Sequence, residues 1–408
     1  MMKANITQLP LLLRNPIQAY AWGSKVWIQD LLDLSESERQ SPMAELWMGA
    51  HTRSPSRVVL DSTEKPLDEF IQENRLLCLG EIGNQKYTGL PFLFKLLAAD
   101  APLSIQAHPN EQQAKDGFAR EEKAGIPLSA ENRNYKDPNH KPEIICALTN
   151  FTAMCGFRYL NEIISLVSLL EAPQLHTCLE ALNKAEPAEA YKDFLHSLFS
   201  LPQNIKLELT ERLKEKLPEL IINAPSYALE WKLIEQFAAA YPGDSAIIAP
   251  LYLNVLSLKP GEALFLPAGI LHAYVHGFGV ELMANSDNVL RGGLTPKYVD
   301  VKELLNTLRF EPYKPEILQP ITGSDGISSY PSPVDEFSLF RIDLKAAYPV
   351  YLPAGKPIIL IMIEGSSNIE NLHNKLELTK GKSVFIPAVR DELLLSGSGT
   401  LFGATTGA

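Results

Sequence analysis

Leu258-Lys259-Pro260-Gly261-Glu262-Ala263-Leu264-Phe265-Leu266-Pro267-Ala268 returns late in the chain as Leu378-Thr379-Lys380-Gly381-Lys382-Ser383-Val384-Phe385-Ile386-Pro387-Ala388. Leu, Gly, Phe, Pro and Ala recur at equal spacing, and Leu264/Val384 and Leu266/Ile386 are apolar exchanges. A glycine turn, a short apolar run and a closing proline describe the punctuation of β-strands. Two copies of one such unit imply two β-barrels built alike.

The rest of the chain arranges itself around these copies. Up to about residue 155 the reading is mostly β, with short apolar segments such as Ser56-Arg57-Val58-Val59-Leu60 between Gly, Pro, Asn and Asp breakers. The polar stretch 111–136 reads as a helical excursion that closes at Asp137-Pro138-Asn139. From about 159 the period changes: Leu160, Ile163, Ile164, Val167 and Leu170 fall at helical spacing, as do Tyr227, Trp231, Ile234 and Phe237. Strands return at Leu251-Tyr252-Leu253-Asn254-Val255-Leu256, a helix is expected at 301–306, and Pro312, Pro315 and Pro320 lead into a final β segment. The expected architecture is therefore mainly β. Residues 1–157 with 246–310 form one barrel, 158–245 a helical insertion, and 311–408 a second barrel.

Bulk properties narrow the function. With 408 residues the chain exceeds one ordinary core. Its 48 acidic and 37 basic residues give a net charge of -11, which argues against nucleic acid and against an anionic membrane as partners. An anionic substrate must then meet a local cluster of Lys and Arg. Cys78, Cys146, Cys155 and Cys178 follow no metal or disulfide spacing and read as buried free thiols. Leu9-Pro10-Leu11-Leu12-Leu13 before Arg14 is too short for a signal segment, and the aliphatic run Ile358 to Ile363 is too short for a bilayer. A cytoplasmic protein is expected.

Two stretches carry chemistry. In Ser104-Ile105-Gln106-Ala107-His108-Pro109, Gln106 and His108 sit two apart, so on a strand they share a face with about 6.6 Å between their Cα atoms. They can converge on one ion. In Gly261-x5-Pro267-x-Gly269-x2-His272, a Pro/Gly turn ends one strand and throws His272 onto the next. This pattern resembles the second motif of the cupin barrels, a jelly-roll family, with His276 where that motif usually has Asn. The first cupin motif is altered to Gln106-x-His108, with Glu143 delayed by an insertion. In the C-terminal copy the position matching His272 is Glu392, and no Gln-x-His precedes it, so that barrel is expected to lack metal ligands. Gln106, His108, Glu143 and His272 offer O, N, O and N, which suits Zn²⁺ with a place left for water or substrate. Iron would more naturally take two His and one carboxylate.

Gln106-Ala107-His108-Pro109-Asn110, His140-Lys141-Pro142-Glu143, Leu266-Pro267-Ala268-Gly269-x-x-His272-Ala273-Tyr274 and Glu281-Leu282-Met283-Ala284-Asn285-Ser286-Asp287-Asn288-Val289-Leu290-Arg291-Gly292-Gly293-Leu294-Thr295-Pro296-Lys297 together resemble the type I mannose-6-phosphate isomerases. Ala21-Trp22-Gly23 and Ala44-Glu45-Leu46-Trp47-Met48-Gly49 fit the same resemblance, which covers roughly residues 14–305. It implies interconversion of mannose 6-phosphate and fructose 6-phosphate with one zinc per chain, held by Gln106, His108, Glu143 and His272, with Arg291 as the active-site arginine. Aldose–ketose isomerisation moves a proton between C1 and C2 through an enediolate, and a Lewis acid suits the developing oxyanion. Arg291 keeps its proton at neutral pH and is assigned to anion or enediolate binding. The proton carrier stays open among Lys141, His140 and Asp287. Lys95, Ser104, Lys297 and Asp287 are candidate sugar or phosphate contacts, and Glu45 is a candidate beside the metal. A sugar phosphate is the expected partner and a monomer the expected state. The alternatives are a sugar-binding cupin without turnover and an iron-dependent cupin dioxygenase.

Overall fold

The computed structural model describes residues 10–60, 63–371 and 374–407. Two eleven-stranded antiparallel sheets make up its β structure, and a run of helices from Leu160–Ser168 to Ala249–Tyr252 separates the strand Phe151–Phe157 from Leu253–Leu258. The expected turn of helix at 301–306 is present as Val301–Thr307, and Glu111–Lys123 covers the polar excursion.

The sheet that carries the candidate ligands is organised on one long strand, His272–Ala284. Its second half pairs with Phe92–Ala99 on one side and Glu143–Ala147 on the other, while its first half pairs with Phe151–Phe157 and with the two-residue strand Gln106–Ala107. The change of partners falls where the register slips between Tyr274 and His276 and where Gly277 takes φ +136°. Only glycine adopts that conformation freely, and a Cβ there would stand 2.8 Å from the Phe151 backbone. The bend lets one strand present His272 from one half and Glu281 from the other.

The repeat is legible in the second sheet. Lys375–Thr379, Ser383–Ile386 and Leu393–Thr405 reproduce Leu253–Leu258, Ala263–Leu266 and His272–Ala284, and Gly261 and Gly381 turn with φ +89° and +78°. The interiors differ. Ile342, Leu360, Met362, Val384, Ile386, Leu395 and Leu401 fill the C-terminal unit with aliphatic side chains, and Glu392 is exposed just ahead of its long strand.

Two features depart from the sequence reading. The fold is mixed α/β where a mainly β chain was expected. Besides the insertion, Leu67–Glu73 and Arg75–Lys86 form helices, because Leu67, Phe70 and Ile71 recur at helical spacing and are buried against the sheets. In addition, the N-terminal strand Leu11–Arg14 pairs with Ser383–Ile386 and with Arg57–Leu60, inside the C-terminal sheet. One apolar core joins the two sheets, with Phe92, Phe94, Ile144 and Val280 packed against Ile359, Ile361, Phe385 and Phe402. A second core fuses the helices to the back of the ligand-bearing strands through Ile105, Ala107, Leu271, Ala273, Leu290 and Leu294. No helix among the described residues is long and apolar enough to cross a membrane.

Candidate metal centre and its surroundings

Strand register brings the predicted ligands together. Gln106 is the cross-strand partner of His272 on one side and of Arg291 on the other, so the three side chains share a face. Glu143 opens its strand directly after Pro142, opposite Leu266 and Met283. His108 follows Gln106 by two residues. The result is a cluster in which one donor atom from each of His108, Glu143 and His272 lies within 4.8 Å of the others, all three residues at most 1% exposed. The Gln106 amide stands 3.5 Å from His272 Nε2, and its oxygen reaches the same position by rotation about the last side-chain bond.

The ring orientations are fixed from behind. His108 Nδ1 donates to the Asn288 carbonyl at 2.7 Å and His272 Nδ1 donates to the Ile270 carbonyl at 2.9 Å. Both imidazoles therefore aim the lone pair of Nε2 at Glu143, at 3.3 Å from Oε1 and 3.6 Å from Oε2. Burial pushes the His108 imidazole down to about 4, so it is neutral at physiological pH. Burial works against ionisation of Glu143, yet the Lys141 ammonium outweighs it and holds the carboxyl well below the ordinary range. Lys141 Nζ lies 3.0 Å from Glu143 Oε1. Among the described residues two acceptor atoms here meet no hydrogen-bond donor, His108 Nε2 and Glu143 Oε2. Acceptors stranded together in the interior are costly unless a cation lies between them. The donor set of one carboxylate, two imidazoles and one amide fits a divalent ion of the zinc type.

Around this cluster runs a charged layer. Lys95, 6% exposed in a wholly buried strand, donates to its cross-strand partner Glu281 at 2.9 Å and lies 3.7 Å from Glu45, whose carboxylate accepts the Trp47 indole N–H at 2.6 Å. Burial disfavours its charge, but Glu281, Glu45 and Glu143 together keep Lys95 protonated. Lys95 is thus committed to carboxylates beside the site. Asp287 sits 3.4 Å from His51 and 3.5 Å from Arg53. Despite burial, these partners hold its carboxyl down to about 2. Ser104 is half-buried with a hydroxyl that has no partner among the described residues. Arg291 is also half-buried, and its guanidinium meets no carboxylate or carbonyl among the described residues. Lys297 is exposed at the same mouth, and burial together with Arg291, Lys136 and Arg53 lowers its pKa. Arg291, Lys297, Lys136 and Arg53 thus concentrate positive charge in one place on an acidic protein.

His140 is not brought to the cluster. Its Nε2 bonds Glu336 at 2.8 Å, at the seam with the C-terminal segment, which removes it from the candidate proton carriers. Sequence reasoning missed His51, Arg53, Lys136, Glu281 and Asn288. Of these only Glu281 left a signal, a carboxylate in an otherwise apolar strand pattern opposite the equally isolated Lys95.

Comparison with known proteins agrees with this geometry. The family description "Phosphomannose isomerase type I, catalytic domain" matches residues 11–160, and "Mannose-6-phosphate isomerase, cupin domain" matches residues 326–405. The mannose-6-phosphate isomerase of Salmonella typhimurium is 41% identical over 392 residues, spanning 95% of this chain and 97% of the relative. The human mannose-6-phosphate isomerase is 33% identical, spanning 91% and 92%. A Salmonella typhimurium mannose 6-phosphate isomerase crystal structure with zinc and fructose 6-phosphate superimposes with a TM-score of 0.89 at 39% identity, covering 98% of this chain and all of that one. A zinc-bound mannose 6-phosphate isomerase structure gives a TM-score of 0.90 at the same identity and coverage. Fold, donor cluster and full-length similarity agree, and the chain belongs to the type I phosphomannose isomerase family.

Proposed function

We propose that this chain interconverts mannose 6-phosphate and fructose 6-phosphate, with one zinc ion held by Gln106, His108, Glu143 and His272. The observation that carries the reading is the pair of buried acceptors, His108 Nε2 and Glu143 Oε2, which meet no donor among the described residues, together with Arg291 two strands over from His272, which meets no carboxylate or carbonyl among them. Zinc supplies Lewis-acid polarisation of the sugar oxygens when bound. The protein's own side chains do the rest. Arg291, with Lys297, Lys136 and Arg53, receives the anionic substrate and the negative charge that develops on the enediolate. Lys141, buried beside Glu143, is the proton carrier between C1 and C2: as the free amine it takes the proton from one carbon, and as the resulting ammonium it returns it to the other. Asp287 is too weak a base for that task, since His51 and Arg53 stabilise its carboxylate, and it orients those two groups at the rim. Ser104 offers its free hydroxyl to the sugar. Lys95 neutralises Glu281 and Glu45 and so shapes the field behind the reacting carbons.

The architecture that supports this chemistry is two jelly-roll barrels, 1–157 with 246–310 and 311–408, flanking the helical insertion 158–245. The strand Leu11–Arg14 is lent to the second barrel. The reading extends to a cytoplasmic, monomeric enzyme whose partner is the sugar phosphate alone. A coupled assay on mannose 6-phosphate tests it. Turnover is expected, lost on chelation and restored by Zn²⁺. Full turnover in metal-free protein overturns it.

A further inference from the structure

Arg291 has no side-chain partner among the described residues, so its placement rests on its backbone. On one side that backbone is tied to the ligand strand: Leu290 and Arg291 pair with Ala107 and Gln106, the Gly292 amide donates to the Ile105 carbonyl at 2.7 Å, and the Ile105 amide donates to the Gly293 carbonyl at 3.0 Å. On the other side stands a residue of the helical insertion. Asp244 Oδ2 accepts the Leu294 amide at 2.7 Å, Oδ1 accepts the Ala246 amide at 2.9 Å, and the Thr295 amide also faces this carboxylate. The loop it holds is strained. Leu294, 1% exposed, has φ +52°, a conformation that non-glycine residues rarely keep without external restraint. Gly293 has φ +114°, and a Cβ there would fall 2.3 Å from Ala246 Cβ, so the insertion and the loop are pressed together at this point.

We infer that Asp244 is a positioning residue for the isomerisation: through the Leu294 amide, the helical insertion holds the Arg291–Lys297 loop in the geometry that binds the substrate's anionic groups. The inference rests on the reading of Arg291 as an active-site group. It gives the insertion a task, since its core continues through Ile247, Ile248 and Leu251 to Leu290 and Leu294. Asp244 itself touches no substrate. It acts only through the loop.

The test uses the zinc-loaded enzyme with Asp244→Ala, Asp244→Asn, Arg291→Ala and the double variant Asp244→Ala/Arg291→Ala. Zinc content, thermal midpoint, kcat and KM for mannose 6-phosphate, and competitive inhibition by inorganic phosphate are measured. The expected result is a loss in kcat/KM of roughly tenfold or more for Asp244→Ala, because small displacements of a binding group are amplified in the transition state. KM and the phosphate inhibition constant should rise together, with zinc content unchanged. The double variant should be no worse than Arg291→Ala alone, as expected of two residues acting through one contact. Multiplicative losses overturn the inference, as does a lowered midpoint with unchanged kcat/KM. If Asp244→Ala fails to fold, Asp244→Asn decides: it keeps one acceptor oxygen and should show the same pattern, more mildly. If Arg291→Ala keeps wild-type kcat/KM, the active-site reading of Arg291 falls and this role for Asp244 with it. If Arg291→Ala is impaired and both Asp244 variants are not, Asp244 alone loses its role.

Discussion

Lys141 donates to Glu143 across 3.0 Å, from only two positions upstream, just ahead of the strand Glu143–Ala147. The contact occupies Oε1 and leaves Oε2 facing His272 Nε2 at 3.6 Å, so one carboxylate serves an ammonium and a metal position at once. Replacing Lys141 by Met keeps much of its length and removes its proton. Zinc should remain bound, because His108, His272 and Glu143 are untouched, while kcat should fall by roughly 10²–10⁴, the usual contribution of a positioned acid or base. Zinc stoichiometry and steady-state rates on one preparation decide it. Loss of zinc together with activity would make Lys141 an anchor for Glu143 and nothing more.

His272→Ala removes one donor and the ring that Gln106 faces. Bound zinc and turnover should disappear together. A thermal readout separates this from misfolding: a ligand that binds only the folded state stabilises it by about 2.7 kcal/mol at a hundredfold excess over its dissociation constant. Chelator should therefore lower the midpoint of the wild-type protein and leave that of the variant unchanged. A chelator-sensitive midpoint in His272→Ala would show that the remaining donors hold the ion without it.

Lys95 and Glu281 are cross-strand partners, 6% and 3% exposed. A buried charge left alone is far worse than a buried pair removed whole. Lys95→Met should destabilise the fold by about 3–5 kcal/mol, since Glu281 and Glu45 lose their shared cation. Lys95→Met combined with Glu281→Leu should recover much of that loss in urea unfolding. An additive double variant would mean that the pair contributes nothing as a pair.

The parts of this molecule that were legible in the sequence are those coded locally. Gly261, Pro267 and Gly269 must turn the chain, and the two-residue spacing of Gln106 and His108 must put both on one face, whatever lies around them. Lys95 drew notice because an ammonium inside an apolar run is costly without a partner. The rest depends on contacts between distant segments. Nothing near Leu11 announces that its strand pairs with Phe385, because any edge with a matching apolar alternation would accept it. Arg53, Lys136 and Lys297 look like ordinary solvated charges until the fold collects them around Arg291. His140 stood one residue from Lys141 in sequence, yet it engages Glu336, and only the path of the chain decides that. The helix Leu67–Glu73 was missed because two turns supply too few apolar positions to outweigh the β-like surroundings.

The His140–Glu336 contact ties the segment that leads into Glu143 to the C-terminal sheet, and it titrates. The bond to Glu336 raises the His140 pKa above its ordinary value, against the opposing effect of burial, and Glu111 and Lys115 act on it with opposite signs. The same bond lowers Glu336, with burial opposing and Asp335 working against it. A histidine whose folded pKa is raised contributes stability that is complete below its unfolded value, near 6.5, and is lost as pH rises through the folded value. A carboxylate whose folded pKa is lowered contributes stability that is complete above its unfolded value, near 4.3, and is lost as pH falls through the folded value. Both contributions are present together between about pH 4.3 and 6.5. Glu336→Gln should therefore be less stable than the wild type by about 1 kcal/mol near pH 5.5, and the gap should be narrower at alkaline pH, above the raised histidine value. Urea unfolding of both proteins at the two pH values measures it. A gap that stays constant or widens with rising pH would assign the coupling to a group other than His140.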